Sequence, residues 1–236
     1  MFTSHVFTIL SLGFVLGLRH AFDADHLMAV STVLAERPSL RASSVVGLFW
    51  GLGHTLVLLF AGMVVLTWNV AIPESLATLF EFAVGIMLIV LGASLALRIR
   101  CDRWHVHTHE HEGTAHVHLH HHHGTQGNHR HVHWFREARR PLLIGMAHGL
   151  AGSAALLLIV VSTAATFFEG VGYILIFGLG LIAGMMGIGA AMSFPVIFSF
   201  SFGRRAYLTV QGLASAGSIG FGLLMMWRIS RGAPVF

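Results

Sequence analysis

Between Arg19 and Leu27 the chain reads RHAFDADHL, which places two aspartates, two histidines and an arginine in nine residues. Apolar runs flank it, TILSLGFVLGL before and MAVSTVLA after. An ionisable side chain at membrane depth costs on the order of 3 kcal/mol or more and faces a cavity or a partner. Two imidazoles with carboxylates suit first-row divalent ions such as nickel, cobalt and zinc, and suit magnesium or calcium poorly. At about 100° per residue on a regular helix, His20, Asp23 and His26 lie along one arc, and His20 and Asp23 are i, i+3 neighbours that can touch. Asp25 falls on another face and rejoins the group if the helix unwinds. His54 and His148, each inside a further apolar run, complete a site formed between helices.

Other chemistry stays open on these residues. A helix end at the membrane interface would let the aspartates cap in water, and a metal-free proton relay uses the same residue types. Taken singly, His54 and His148 read equally well as hydrogen-bonded packing residues. Arg19 reads as a counter-ion to Asp23 or as a snorkelling anchor. Glu81 reads as an acid near the outer surface.

The elements that must position these groups follow from composition. Of 236 residues, 55% are hydrophobic and only 10% charged, against roughly 25% charged in a soluble domain. Mean hydropathy is +0.76. The expected class is an all-α polytopic membrane protein, with the lipid bilayer as a partner and no nucleic acid. A span needs about 20 mostly apolar residues, and six runs qualify: roughly 5–34, 43–68, 76–98, 141–167, 171–198 and 206–228. The first is too long for one straight helix and predicts a kink, a tilt or an unwound stretch near the polar motif. The 27 glycines fit close helix packing in lipid. The N-terminal MFTSHVF has no basic segment, so no cleavable signal peptide is expected. The lone Cys101 builds neither an internal disulfide nor a cysteine-based zinc site.

All fourteen basic residues are arginines. With six spans, eleven of them, from Arg37 and Arg41 through the Arg98–Arg140 group to Arg204 and Arg205, fall on one side, and only Arg228 and Arg231 on the other. The positive-inside rule puts the richer side in the cytoplasm and both termini outside, across a bacterial-type inner membrane.

The halves align weakly. GLRHAFDADHLMAVST from 17 resembles GMAHGLAGSAALLLIVVST from 145, with His20 over His148. FWGLGH at 49–54 resembles IFGLGL at 176–181, and Glu81 and Gln211 each precede an arginine by 17 residues. Three spans per half force opposite entry, the inverted-repeat plan of secondary transporters with midplane sites at broken helices. The expected division is a first repeat at 1–100, a cytoplasmic loop at 101–140 and a second repeat at 141–236.

That loop holds 13 of the 18 histidines between His105 and His133. Such a tract cannot bury a core and is expected to be disordered without metal. It reads as a metal buffer, acceptor or sensor, with a cytoplasmic metallochaperone as a possible partner, or else as a low-complexity insert without a role in transport.

Residues 19–26, R-H-A-F-D-A-D-H, resemble the R-H-A-x-D-A-D-H signature of the nickel/cobalt transporter superfamily. WGLGHTLVLL at 50–59 is similar to its second, histidine-bearing motif, and HGLAGSAALLLI at 148–159 resembles the shorter UreH-type, nickel-permease-like branch. The resemblance implies a permease for Ni²⁺ or Co²⁺ as transported substrates, with no tightly bound cofactor and no enzymatic activity. It implies that His20, Asp25 and His26 are essential and that Asp23 and His54 support them. Full-length members commonly have eight spans where this chain reads as six. Their later L-G-F-D-T-A-T-E-like motif is replaced by the carboxylate-free HGLAGSAAL. Uptake is the favoured direction. The rivals are nickel/cobalt efflux, an accessory membrane protein delivering nickel for metalloenzyme maturation, and an anion or amino-acid exporter. Neither a G-x-x-x-x-G-K-[ST] nor an H-E-x-x-H motif occurs, so neither ATP coupling within the chain nor an intramembrane metalloprotease is expected.

Overall fold

The first apolar run breaks at the polar motif. In a computed structural model describing residues 2–36, 39–70, 72–101, 106–111, 114–119, 134–151, 164 and 166–232, helix α1 (Phe2–His20) ends there and α2 (Ala24–Leu34) starts after the three residues Ala21, Phe22 and Asp23. Tight turn bonds close the break, with Phe22 N–H donating to Arg19 O (2.9 Å) and Asp23 N–H to His20 O (3.1 Å). Asp23 then takes an extended backbone (φ −61°, ψ 144°) as the N-cap residue of α2, yet its carboxylate makes no capping bond. The length of the run predicted such a break.

The other helices are α3 (Leu40–Trp68), α4 (Glu74–Cys101), α5 (Trp134–Ala151), α6 (Phe167–Ser201) and α7 (Arg204–Ser230). Between α4 and α5, strands β1 (Val106–His111) and β2 (Thr114–Leu119) form an antiparallel hairpin. The rest of the histidine-rich stretch lies outside the described residues. Among the described residues four helices, α3, α4, α6 and α7, are long and apolar enough to cross a membrane. The chain is thus a helical, multi-pass membrane protein. Six spans were expected. The first of them is divided between α1 and α2, and the fourth, 141–167, is described only to Ala151 and at scattered residues beyond it.

Apolar residues lie on both surfaces of the bundle, as they must in lipid, where the outside is as apolar as the core. Trp50, Leu58, Phe177, Leu181 and Met185 are buried inside, while Phe60, Trp68, Phe168 and Leu213 face outward. Helix α3 packs against α5 and α6, α1 against α6, and α4 against α7. Glycines set the closeness of two of these crossings. A Cβ on Gly17 or Gly180 would collide with the carbonyl of Phe177 or Phe14 across α1–α6, and one on Gly145 or Gly53 with that of Trp50 or Leu142 across α3–α5. Serine hydroxyls bind α7 to α4, with Ser215 donating to Gly92 O and Ser218 to Leu88 O, both at 2.8 Å.

The end of α2 is held by three other helices. Tyr207 and Gln211 on α7 both donate to Ala35 O, at 3.1 and 2.9 Å. Glu36, whose side chain is 8% exposed, receives Arg140 from α5 at 2.6 Å and Arg98 from α4 at 3.2 Å. The end of α2, the end of α4 and the starts of α5 and α7 therefore meet at one end of the bundle.

Candidate metal centre

The break between α1 and α2 points the motif inward. Asp25 and His26 occupy the first turn of α2 and are 6% and 1% exposed. His54 on α3 and His148 on α5 are each 1% exposed. Close helix approach brings them in: a Cβ on Gly149 would sit 2.8 Å from His54 O, so α5 can lie this near α3 only with glycine there. His20, at the end of α1, has ring centroids of His26 and His54 at 4.9 and 5.1 Å, and His26 has that of His148 at 4.9 Å.

Three of these imidazoles are oriented through one nitrogen. His20 Nδ1 lies 2.6 Å from Asp23 Oδ2, His26 Nδ1 lies 3.0 Å from Asp25 Oδ1, and His148 Nδ1 lies 3.3 Å from Ile144 O. In the neutral ring only one nitrogen carries the proton. An Nδ1–H donated to each oxygen leaves the Nε2 lone pair free. The Nε2 atoms of His26 and His148, and Nδ1 of His54, are buried with no hydrogen-bond partner. Such orphans cost about 1–3 kcal/mol each, and a ligand for them would explain their presence.

The potential ligand atoms form two groups sharing His26: His20, His26 and His54 in one, Asp25, His26 and His148 in the other, each spanning no more than 4.8 Å. Nitrogens bound to one first-row ion at about 2.1 Å stand at most about 4.2 Å apart, so a modest inward movement suffices. Asp25 Oδ2 and His148 Nε2 face each other at 3.8 Å on buried side chains, two atoms that can each offer a lone pair at the separation that ligands of one cation take.

All six residues singled out by sequence thus gather near one point. Asp23 differs from the rest: it is absent from both ligand groups, its side chain is 38% exposed, and it touches His20. Arg19 is exposed and the partner of Asp23 is His20. Asp25, on the wrong face of a continuous helix, joins the group because the helix is interrupted. Sequence reasoning missed Trp50, fully buried with its ring 5.0 Å from that of His148, and the Glu36–Arg98–Arg140 cluster. Trp50 was findable from its place four residues before His54, one helical turn away. Glu36 was findable as the lone acid in a short arginine-bearing loop.

A family of high-affinity nickel-transport proteins, NicO, matches residues 6–226. The chain belongs to that family. Membership makes it a transport-family membrane protein and not an enzyme. It is 36% identical over 224 residues to the urease accessory protein UreH of Bacillus sp. (strain TB-90), covering 94% of this chain and 92% of that protein. It is 34% identical over 87 residues to the high-affinity nickel transport protein of Cupriavidus necator, covering 36% of this chain and 24% of that one. No solved structure matches it.

Proposed function

We propose that the protein is an inner-membrane permease that moves Ni²⁺ inward, with Co²⁺ as a second substrate, through the His20–Asp23–Asp25–His26–His54–His148 cluster. The observation that carries this reading is the set of buried nitrogens of His26, His54 and His148 with no partner, two of them on rings already anchored through Nδ1. Anchoring the far nitrogen of a ligating histidine on an oxygen fixes its tautomer and direction, as metal sites require. The ion sheds water against His20, His26 and His54, then passes to Asp25 and His148 while His26 keeps hold of it. Asp23 positions His20. Histidine binds metal only when neutral, so protons compete with the ion at each step.

Alternating access by two inverted three-helix repeats, 1–100 and 141–236, fits the packing. Exchanging the halves turns the α1–α6 crossing into the α5–α3 crossing and returns α4–α7 to itself. The glycine contacts follow the same exchange. Gly17 meets Phe177 as Gly145 meets Trp50, and Gly53 meets Leu142 as Gly180 meets Phe14. These pairs obey the offsets of 128 residues, which places His20 over His148, and 127 residues, which places Trp50 over Phe177. Glu36, bridging Arg98 of the first half and Arg140 at the threshold of the second, then closes the cytoplasmic end, with both termini outside. A cytoplasmic metallochaperone could collect the ion at the histidine-rich loop, 101–140.

A second reading, delivery of nickel to a maturing metalloenzyme, is favoured by the near full-length similarity to a protein named urease accessory protein. Radioactive nickel accumulation separates the readings in cells expressing the wild type, His26→Ala or a 105–133 deletion. A permease loses uptake in His26→Ala and keeps it in the deletion. A delivery protein shows the reverse dependence, and accumulation below the empty-vector level means efflux.

A further inference from the structure

Among the described residues, six buried side-chain polar atoms have no hydrogen-bond partner. Three are the imidazole nitrogens of the metal centre. The other three are Ser43 Oγ, Trp50 Nε1 and Tyr173 Oη, on residues that are 0%, 0% and 2% exposed. Ser43 stands apart from the other buried serines. Ser193, Ser199, Ser215 and Ser218 each donate to a backbone carbonyl at 2.6–2.8 Å, because a hydroxyl rotates to the acceptor at hand.

Position orders these atoms. At about 100° per residue, Ser43, Trp50 and His54 fall within about 40° of one another on α3. Ser43 lies about 16 Å along the helix from His54, roughly half the hydrocarbon thickness of a bilayer. Helices α3 and α6 run antiparallel, with Ser43 level with Gly189, Gly51 with Ile182 and Thr55 with Gly178. Tyr173 precedes Gly178 on α6 and therefore lies beyond His54, on the side away from Ser43. It is one helical turn from Phe177, whose ring is 5.6 Å from that of His20. One hydroxyl thus stands on each side of the metal centre along the α3–α6 contact. Tyr173 is on the side of His20. Ser43 is on the side of Trp50 and His148, toward the end where Glu36, Arg98 and Arg140 meet. The same order runs through the two ligand groups, from His20, His26 and His54 to Asp25, His26 and His148.

The chemistry of the atoms decides what they serve. Water bound to a divalent cation turns its oxygen to the ion and presents both hydrogens outward, so it needs acceptors. A hydroxyl oxygen accepts, whereas the indole N–H of Trp50 only donates. A borderline ion takes imidazole as its ligand, so the two hydroxyls suit the ion's water. We propose that Tyr173 and Ser43 are water-handling groups of the ion path, one on each side of the metal centre. Tyr173 Oη accepts hydrogen bonds from hydrated Ni²⁺ as the ion reaches His20. Ser43 Oγ accepts them as the ion regains water beyond Asp25 and His148. The proposal rests on the transport reading. Both hydroxyls are closed off in this conformation, and each gains its partner when the path opens on its own side.

The test is Ni²⁺ entry into proteoliposomes carrying the purified full-length wild type, Ser43→Ala, Tyr173→Phe or Ser218→Ala, beside metal-free thermal unfolding of each protein. The first two variants remove an unpartnered hydroxyl, and Ser218→Ala removes one bonded to Leu88 O. Maximal entry rates at least tenfold lower are expected for Ser43→Ala and Tyr173→Phe. Their metal-free Tm should stand at or above wild type, because each loses an unsatisfied buried group. Ser218→Ala should show the reverse, a lower Tm with the wild-type rate. A structural role does not slow transport in a protein that is no less stable. Wild-type rates in Ser43→Ala and Tyr173→Phe, a Tm below wild type in both, or an equal loss of rate in Ser218→Ala would overturn the proposal. Saturable entry with the wild type keeps the transport reading in place whichever of these results appears. No entry with the wild type would remove that reading and this proposal with it.

Discussion

His148 lies outside the RHAFDADHL motif, and replacing it with leucine separates a metal ligand from a packing residue. Leucine keeps roughly the same volume, so the cavity cost stays small. The change deletes an Nε2 that is buried without a partner, which relieves about 1–3 kcal/mol. It also deletes the 3.3 Å bond from Nδ1 to Ile144 O, a loss of about 0.5–1.5 kcal/mol. The metal-free protein should therefore lie between about 0.5 kcal/mol less stable and about 2.5 kcal/mol more stable than wild type. The metal-loaded protein should behave oppositely. At Ni²⁺ a hundredfold above the wild-type Kd, binding stabilises by about 2.7 kcal/mol. A hundredfold weaker affinity, the upper end for a disturbed metal site, reduces that to about 0.4 kcal/mol. At about 2–4 °C per kcal/mol for a chain of this size, the Ni²⁺-induced rise in Tm should shrink from about 5–11 °C to about 1 °C. Thermal unfolding in detergent with and without Ni²⁺ measures both quantities. If His148 instead forms a charged pair with Asp25, its removal leaves a buried carboxylate short of a partner and costs about 3–5 kcal/mol. A metal-free Tm well below wild type with the Ni²⁺ shift retained would refute the ligand assignment.

Two further outcomes are expected. Asp25→Asn keeps shape but removes the buried charge facing His148, and should abolish nickel uptake. Asp23→Asn removes only the 2.6 Å support of His20 and should cost about ten- to a hundredfold, so uptake rates of the two variants in parallel rank their roles. At the end of the bundle where α2, α4 and α5 meet, Arg140 meets Glu36 through both of its terminal nitrogens, at 2.6 and 3.4 Å, while Arg98 makes one longer contact and is more exposed. Arg140→Ala should cost about 2 kcal/mol in thermal or denaturant unfolding, and Arg98→Ala less than about 1 kcal/mol.

Much of the site was legible because its chemistry is confined to one segment of an apolar chain. In such a sequence His20, Asp23, Asp25, His26, His54 and His148 stand out by cost alone. The interruption between α1 and α2 was legible too, since thirty apolar residues exceed one straight crossing. What sequence could not supply was direction in space. Helical projection set Asp25 apart from His20 and Asp23, and only the turn at Ala21–Asp23 reorients it. The anchoring of His148 on Ile144 O lies within its own helix but depends on a rotamer. Trp50 was hidden among apolar neighbours, and the joining of Glu36 to Arg98 and Arg140 depends on which helix ends converge.

The most direct measurement is Ni²⁺ entry into proteoliposomes containing the purified wild type or His26→Ala, followed with a metal-sensitive dye trapped inside. His26 belongs to both ligand groups, so the account predicts saturable entry with the wild type and none above protein-free vesicles with His26→Ala. Equal entry through both proteins would contradict the claim that the ion crosses at this site.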